Sequence, residues 1–184
     1  MASRNSAGRR PSSSRGRGPY KRTMSEAGEA FEQGAEEILN LYRERRKQTR
    51  PSAPFDWPES LLKRECYNLI QKHSRWSGRV ITSIVKRWEC IPEQITYAQN
   101  KFYWGILAID PEADCISNPS LSKYAKEMLY ADLHGVPPEY LIGFLSQSGN
   151  LTLIRERLRR HELDQEFLNF RKRANRPKTG HQGP

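Results

Sequence analysis

The sequence of 184 residues predicts an all-α protein, a multi-helix domain of about six to seven helices between two basic tails. Three observations carry that reading. Apolar residues of the interior recur at three- and four-residue intervals, the period of one helix face. No window alternates at period two for long enough to make a strand. Finally, the net charge of +10 resides at the two ends: residues 1–23 carry +7, 24–50 carry −1, 51–170 carry −1 and 171–184 carry +5.

The divisions follow from composition: a disordered Arg/Ser/Gly arm at 1–23, an amphipathic helix at 24–49, a Pro-rich linker at 50–56, a helical core at 57–170 and a basic tail at 171–184. Thr23-Met-Ser-Glu26 is a capping-box pattern, in which the Thr hydroxyl and the Glu carboxylate satisfy each other's orphan amides. From it Phe31, Ala35, Ile38, Leu39 and Tyr42 define one apolar stripe. Arg50-Pro51-Ser-Ala-Pro54 breaks that helix, because proline has no amide to continue the ladder. Asp56, followed by Trp57, Pro58 and Glu59, starts a second helix with Leu61, Leu62, Cys66, Leu69 and Ile70 inward. After Ser77-Gly78 a third carries Val80, Ile81, Ile84, Val85 and Trp88. Pro92 is expected to open a fourth, with Ile95, Ala98, Phe102, Ile106 and Ile109 inward, which Asp110-Pro111 closes.

Asn118-Pro119 begins a fifth helix, on which Leu121, Tyr124, Ala125, Met128, Leu129 and Leu133 lead to Gly135. A short sixth follows Pro137-Pro138, with Tyr140, Leu141, Phe144 and Leu145 apolar. A seventh begins at Leu151, with Ile154 and Leu158, and is expected to continue through Leu163, Phe167 and Phe170 after a phase shift near His161. Phe102-Tyr103-Trp104 cannot all face one side of a helix, so Tyr103 and Trp104 fall off the stripe and are candidates for partner contact.

The tails contain the candidate phosphate-binding groups: Arg4, Arg9, Arg10, Arg15, Arg17, Lys21 and Arg22 in the arm, and Arg171, Lys172, Arg173, Arg176 and Lys178 at the end, without one acid among them. Chains of this composition bury too little apolar surface to fold alone. Each cation set on a phosphate releases a condensed counterion, so such a tail adds affinity without reading sequence. Arg15-Gly16-Arg17-Gly18 resembles the RG repeats of RNA-binding proteins, and Arg9-Arg10-Pro11-Ser12-Ser13 resembles a basophilic kinase site, which makes Ser12 and Ser13 candidates for modification. A nuclear-import signal, a mitochondrial presequence and an inert solubilising tail are the competing readings of the same charge. Within the core, Arg155 and Arg159 share one side of the seventh helix and extend the basic surface toward Arg171, while Glu156 and Glu162 dilute it.

Catalysis finds little footing. Cys66, Cys90 and Cys115 are an odd number without a CxxC pair, and His73, His134, His161 and His181 do not stand with them at ligand spacing, so neither a metal nor another cofactor is expected. No nucleophile elbow, zinc-protease motif or glycine-rich phosphate loop occurs, and the chain reads as a non-enzyme. Asp110, Glu112 and Asp114 read as solvated loop acids. Ala131-Asp-Leu-His-Gly135-Val136 with Leu141 and Phe144 has helix-turn-helix spacing, but its second helix presents no Arg, Lys or Asn to a groove. Tyr140 and Ile142 on that corner suit protein contact better.

The plan of an Arg/Ser/Gly arm, an aromatic helical domain and a basic end resembles that of small viral nucleoproteins, helical coat proteins and peripheral ribosomal proteins, a likeness of composition alone. The sequence therefore predicts a nucleic-acid-binding protein that contacts RNA or DNA without sequence preference, its neutral domain binding a protein partner or itself and no membrane. Nucleus or virion is the expected location, with cytoplasm the other choice and secretion not expected. The alternative is a nuclear adaptor whose basic clusters serve import only.

Overall fold

A computed structural model describes residues 24–48, 53–74 and 78–164. Among them are seven α-helices, two short 3-10 turns and no strand: α1 Met24–Lys47, α2 Pro58–Ser74, α3 Arg79–Arg87, α4 Lys101–Ile109, α5 Asn118–Leu133, α6 Leu141–Gln147 and α7 Leu151–Arg160, with the turns at Pro54–Asp56 and Pro138–Tyr140. The arm at 1–23 and the end at 171–184 lie outside the described residues, as do Thr23, Trp76, Phe167 and Phe170.

α1 lies along α2 and contributes Ala27, Phe31, Ala35, Leu39 and Tyr42 to the same core as the other helices. At its centre Tyr67 of α2 stacks on Phe102 of α4, ring centroids 5.2 Å apart at 17°. Both rings are fully buried, as are Ile70, Ile106, Met128, Tyr130 and Leu141 of the same core. α4 approaches α2 closely because residue 105 is glycine; a Cβ there would stand 2.4 Å from Cγ1 of Ile70.

Several expectations are corrected. The helix foreseen from Pro92 begins only at Lys101, after an irregular stretch in which Thr96 and Gln99 bond each other and the Asn100 carboxamide accepts the amides of Phe102 and Tyr103. That cap sets the start more strongly than the apolar spacing does, and Ala98, assigned to the stripe, is exposed. Trp88, also expected inward, follows the last residue of α3 and is 49% exposed. α7 stops at Arg160, because His161 adopts a left-handed conformation (φ 54°) and accommodates the shift in apolar phase by ending the helix.

The corner after α5 is a left-handed turn at Gly135 (φ 68°), followed by the 3-10 turn and then α6, so the second helix of the corner begins at Leu141 rather than directly after the prolines. Asp110 is a buried loop organiser rather than a solvated acid. Its Oδ1 accepts the amide of Asp114, and its Oδ2 accepts those of Cys115 and Ile116 at 2.9 and 2.7 Å. No helix among the described residues is long and apolar enough to cross a membrane.

Candidate nucleic-acid interface

Of the fourteen basic residues singled out from the sequence, the described region holds Arg155 and Arg159, both exposed on α7. The tail residues Arg4, Arg9, Arg10, Arg15, Arg17, Lys21, Arg22, Arg171, Lys172, Arg173, Arg176 and Lys178, with Ser12 and Ser13, lie outside it.

α7 forms because Asn150 caps it, its carboxamide oxygen accepting the Leu153 amide at 3.0 Å, and because Ile154 is buried against the core. Packing α7 across α5 brings Arg155 near Lys126. Burial pushes the Lys126 amine below its ordinary value, and the Arg155 guanidinium lowers it further. Two cations on adjoining helices thus repel each other, and neither takes part in an ion pair among the described residues. Sequence reasoning missed Lys126, since its membership depends on α5 meeting α7; its position off the apolar stripe of α5 was the one signal present.

The other arginines of α7 are engaged. Glu156 holds Arg160 at 2.5 Å and Arg159 at 3.9 Å. Arg157 turns inward and bonds Oδ2 of Asp164 at 2.6 Å and the Ser148 carbonyl at 3.2 Å. Asp164 Oδ2 also accepts the Tyr130 hydroxyl at 2.8 Å, and its backbone amide donates to Nε2 of His134 at 3.0 Å. That bond assigns the ring proton to Nδ1, which donates to the Tyr130 carbonyl at 2.8 Å. The segment after α7, as far as Asp164, is thereby fastened to Tyr130 of α5 and to His134 just after it.

The four partner-contact candidates divide. Trp104 is buried at 7% exposure, its indole N–H donating to the Ile95 carbonyl at 2.8 Å, so it is a core residue and its place off the α4 stripe is filled by the irregular stretch before the helix. Tyr103 and Ile142 are half-buried against the core, and Tyr140 is 56% exposed. Lys101, beside the aromatic triplet, is engaged with Asp132 at 2.8 Å, and Gln71 donates to the same carboxylate. Exposed Phe55 adjoins Gly143 on α6, so Phe55 and Tyr140 give that corner an aromatic surface.

Cys66 is buried and burial pushes its thiol well above the ordinary range; Cys90 and Cys115 are half-buried and raised for the same reason. Among the described residues no group of three His, Cys, Asp or Glu side chains is placed to hold a metal. No family model, no curated protein and no solved structure matches the chain.

Proposed function

We propose that the protein binds nucleic acid through its backbone phosphates, the basic arm and end supplying most of the charge and the α5–α7 face a structured seat. The observation that supports this reading is the distribution of charge, +12 in the two acid-free ends against −2 in the rest of the chain, to which Lys126 of α5 and Arg155 of α7 add cations that enter no ion pair among the described residues. Cations without carboxylate partners among the described residues suit a polyanion, and the proposed contact is with phosphate rather than with base sequence. The aromatic corner around Phe55 and Tyr140 supplies the surface for a protein partner or for self-association.

The test is the salt dependence of binding to single-stranded RNA and to duplex DNA. The full chain is expected to lose affinity linearly on a log–log plot, with a slope of about 0.7 to 0.9 per phosphate engaged. Lys126→Ala with Arg155→Ala reduces the slope by about one to two such contacts and weakens all sequences alike. Absence of salt-dependent binding by the full chain refutes the proposal and favours the adaptor, whose basic clusters serve import alone.

A further inference from the structure

Between α1, the end of α3 and the loop after α4 runs a groove of about 450 Å³. Its floor is apolar, made by Ala35, Leu39, Ala108 and Ile109, and Trp88 stands half-exposed at its wall. The rim is acidic: Glu32 and Glu36 from α1, Glu112 and Asp114 from the loop, with buried Asp110 behind them. Glu32 already pairs with Arg87, whereas Glu36, Glu112 and Asp114 enter no ion pair among the described residues. Arg43 bounds the groove beside Cys115.

An exposed indole among carboxylates is the recognition chemistry of a guanidinium, which stacks its plane on the ring and directs its N–H fork at the acids. A lysine-rich or neutral peptide would use only part of it. The chain carries a fitting occupant. The arm contains Arg15-Gly16-Arg17-Gly18, in which glycine lets the backbone lie close to a floor, and it joins α1 at Met24. From Met24 the middle of the groove, at Glu36 to Leu39, lies about 18 to 22 Å along α1 at 1.5 Å per residue. The seven to nine residues from Arg17 or Arg15 to Met24 span up to about 23 to 32 Å when extended. The two lengths match for an arm that folds back along α1, past Glu29 and Glu32.

We infer that the groove at Trp88 is the seat of the protein's own N-terminal arm, Arg15 and Arg17 lying against Trp88, Glu36, Glu112 and Asp114. The arm then has two ligands of opposite origin, the groove and a nucleic-acid phosphate, and the groove acts as an internal competitor that a polyanion must displace. The competition rests on the phosphate binding proposed above; the docking does not.

The full chain, labelled with nitrogen-15, reports docking through the indole N–H resonance of Trp88, assigned by its disappearance in Trp88→Phe. Arg15→Ser with Arg17→Ser is expected to move that resonance while Trp57 and Trp104 stay in place, and added salt is expected to move the wild-type resonance to the same position. An unchanged Trp88 resonance in the arm variant overturns the docking. A resonance that shifts on dilution overturns its intramolecular form and assigns the groove to the arm of a second copy. In a separate measurement with single-stranded oligouridine, Glu36→Gln with Asp114→Asn is expected to raise affinity about three- to tenfold, the gain from freeing an arm that is docked in most molecules. Unaltered affinity in that variant, with RNA binding itself intact, overturns the competition. No RNA binding by any form, with the Trp88 response present, overturns the phosphate reading and leaves the docking established.

Discussion

The hydroxyl of Tyr67 donates to the carbonyl of Val136 at 2.8 Å, joining two residues 69 positions apart, both fully buried. Val136 follows the left-handed Gly135, so this bond fixes the point at which the chain leaves α5 for α6. Burial, with the charge of Asp132 adding to it, pushes the Tyr67 hydroxyl well above the ordinary tyrosine range and keeps it a donor. Tyr67→Phe preserves the stack on Phe102 and removes only the donor. The variant is expected to lose about 1 to 3 kcal/mol in urea unfolding, the cost of a buried carbonyl without a partner.

Gly105→Ala tests the closest approach of α2 and α4. The added methyl meets Cγ1 and Cδ1 of Ile70 at 2.4 and 2.5 Å, so a side chain in the middle of the core must move. Destabilisation of about 1 to 3 kcal/mol is expected, despite the better helix propensity of alanine. Combining it with Ile70→Val, which removes the Cδ1 methyl, is expected to recover part of that loss; a simple sum of two losses in the double variant contradicts the contact as its cause.

Asp110→Asn tests the loop between α4 and α5. Both carboxylate oxygens accept backbone amides, and a carboxamide has one oxygen. The amide group leaves at least one buried N–H facing a donor, at an expected cost of about 1 to 3 kcal/mol. Amide exchange at Cys115 and Ile116 should accelerate well before that of α2.

Alkaline stability follows from the phenols. Burial leads in raising Tyr124 and Tyr130 to about 12; nearby acids, Tyr42 among the neighbours, add to the first, and the bond to Asp164 adds to the second. Their folded values exceed the unfolded value near 10, so the folded state favours the neutral phenol. The contribution is complete below pH ~10 and is lost as pH rises through ~12. The urea midpoint is therefore expected to fall across that window while absorbance at the phenolate band rises with it; a flat midpoint contradicts the burial of these groups.

Helix identity was legible in the sequence where a stripe and a cap agreed, as in α1, with Phe31, Ala35, Leu39 and Tyr42, and in α5 after Asn118-Pro119. It failed where they disagreed. The spacing from Ile95 to Ile109 suited a helix throughout, but Asn100 offers its side chain to the amides of residues 102 and 103, and a local hydrogen bond outweighs a run of apolar positions. Trp88 was misplaced for a related reason, since α3 ends before the stripe does. Of the candidate interface, Arg155 was readable as charge on a helix, whereas Lys126 depended on tertiary packing. The groove was invisible because its acids come from residues 32 and 36 and from 112 and 114, remote in the chain and neighbours only once α1 lies beside α4.

The attachment of Asp164 has a mechanical consequence. Any pull on the chain beyond residue 164 reaches the protein first through three bonds at one residue: Arg157 and Tyr130 on its carboxylate and His134 on its amide. Tyr130 of α5 and His134, which caps that helix, are both buried, so tension is passed in parallel into the core instead of unwinding α7 one turn at a time. A tether strained by a long polymer would thus shear a cluster of polar contacts together, a geometry that resists force better than the sequential peeling of an unanchored terminal helix.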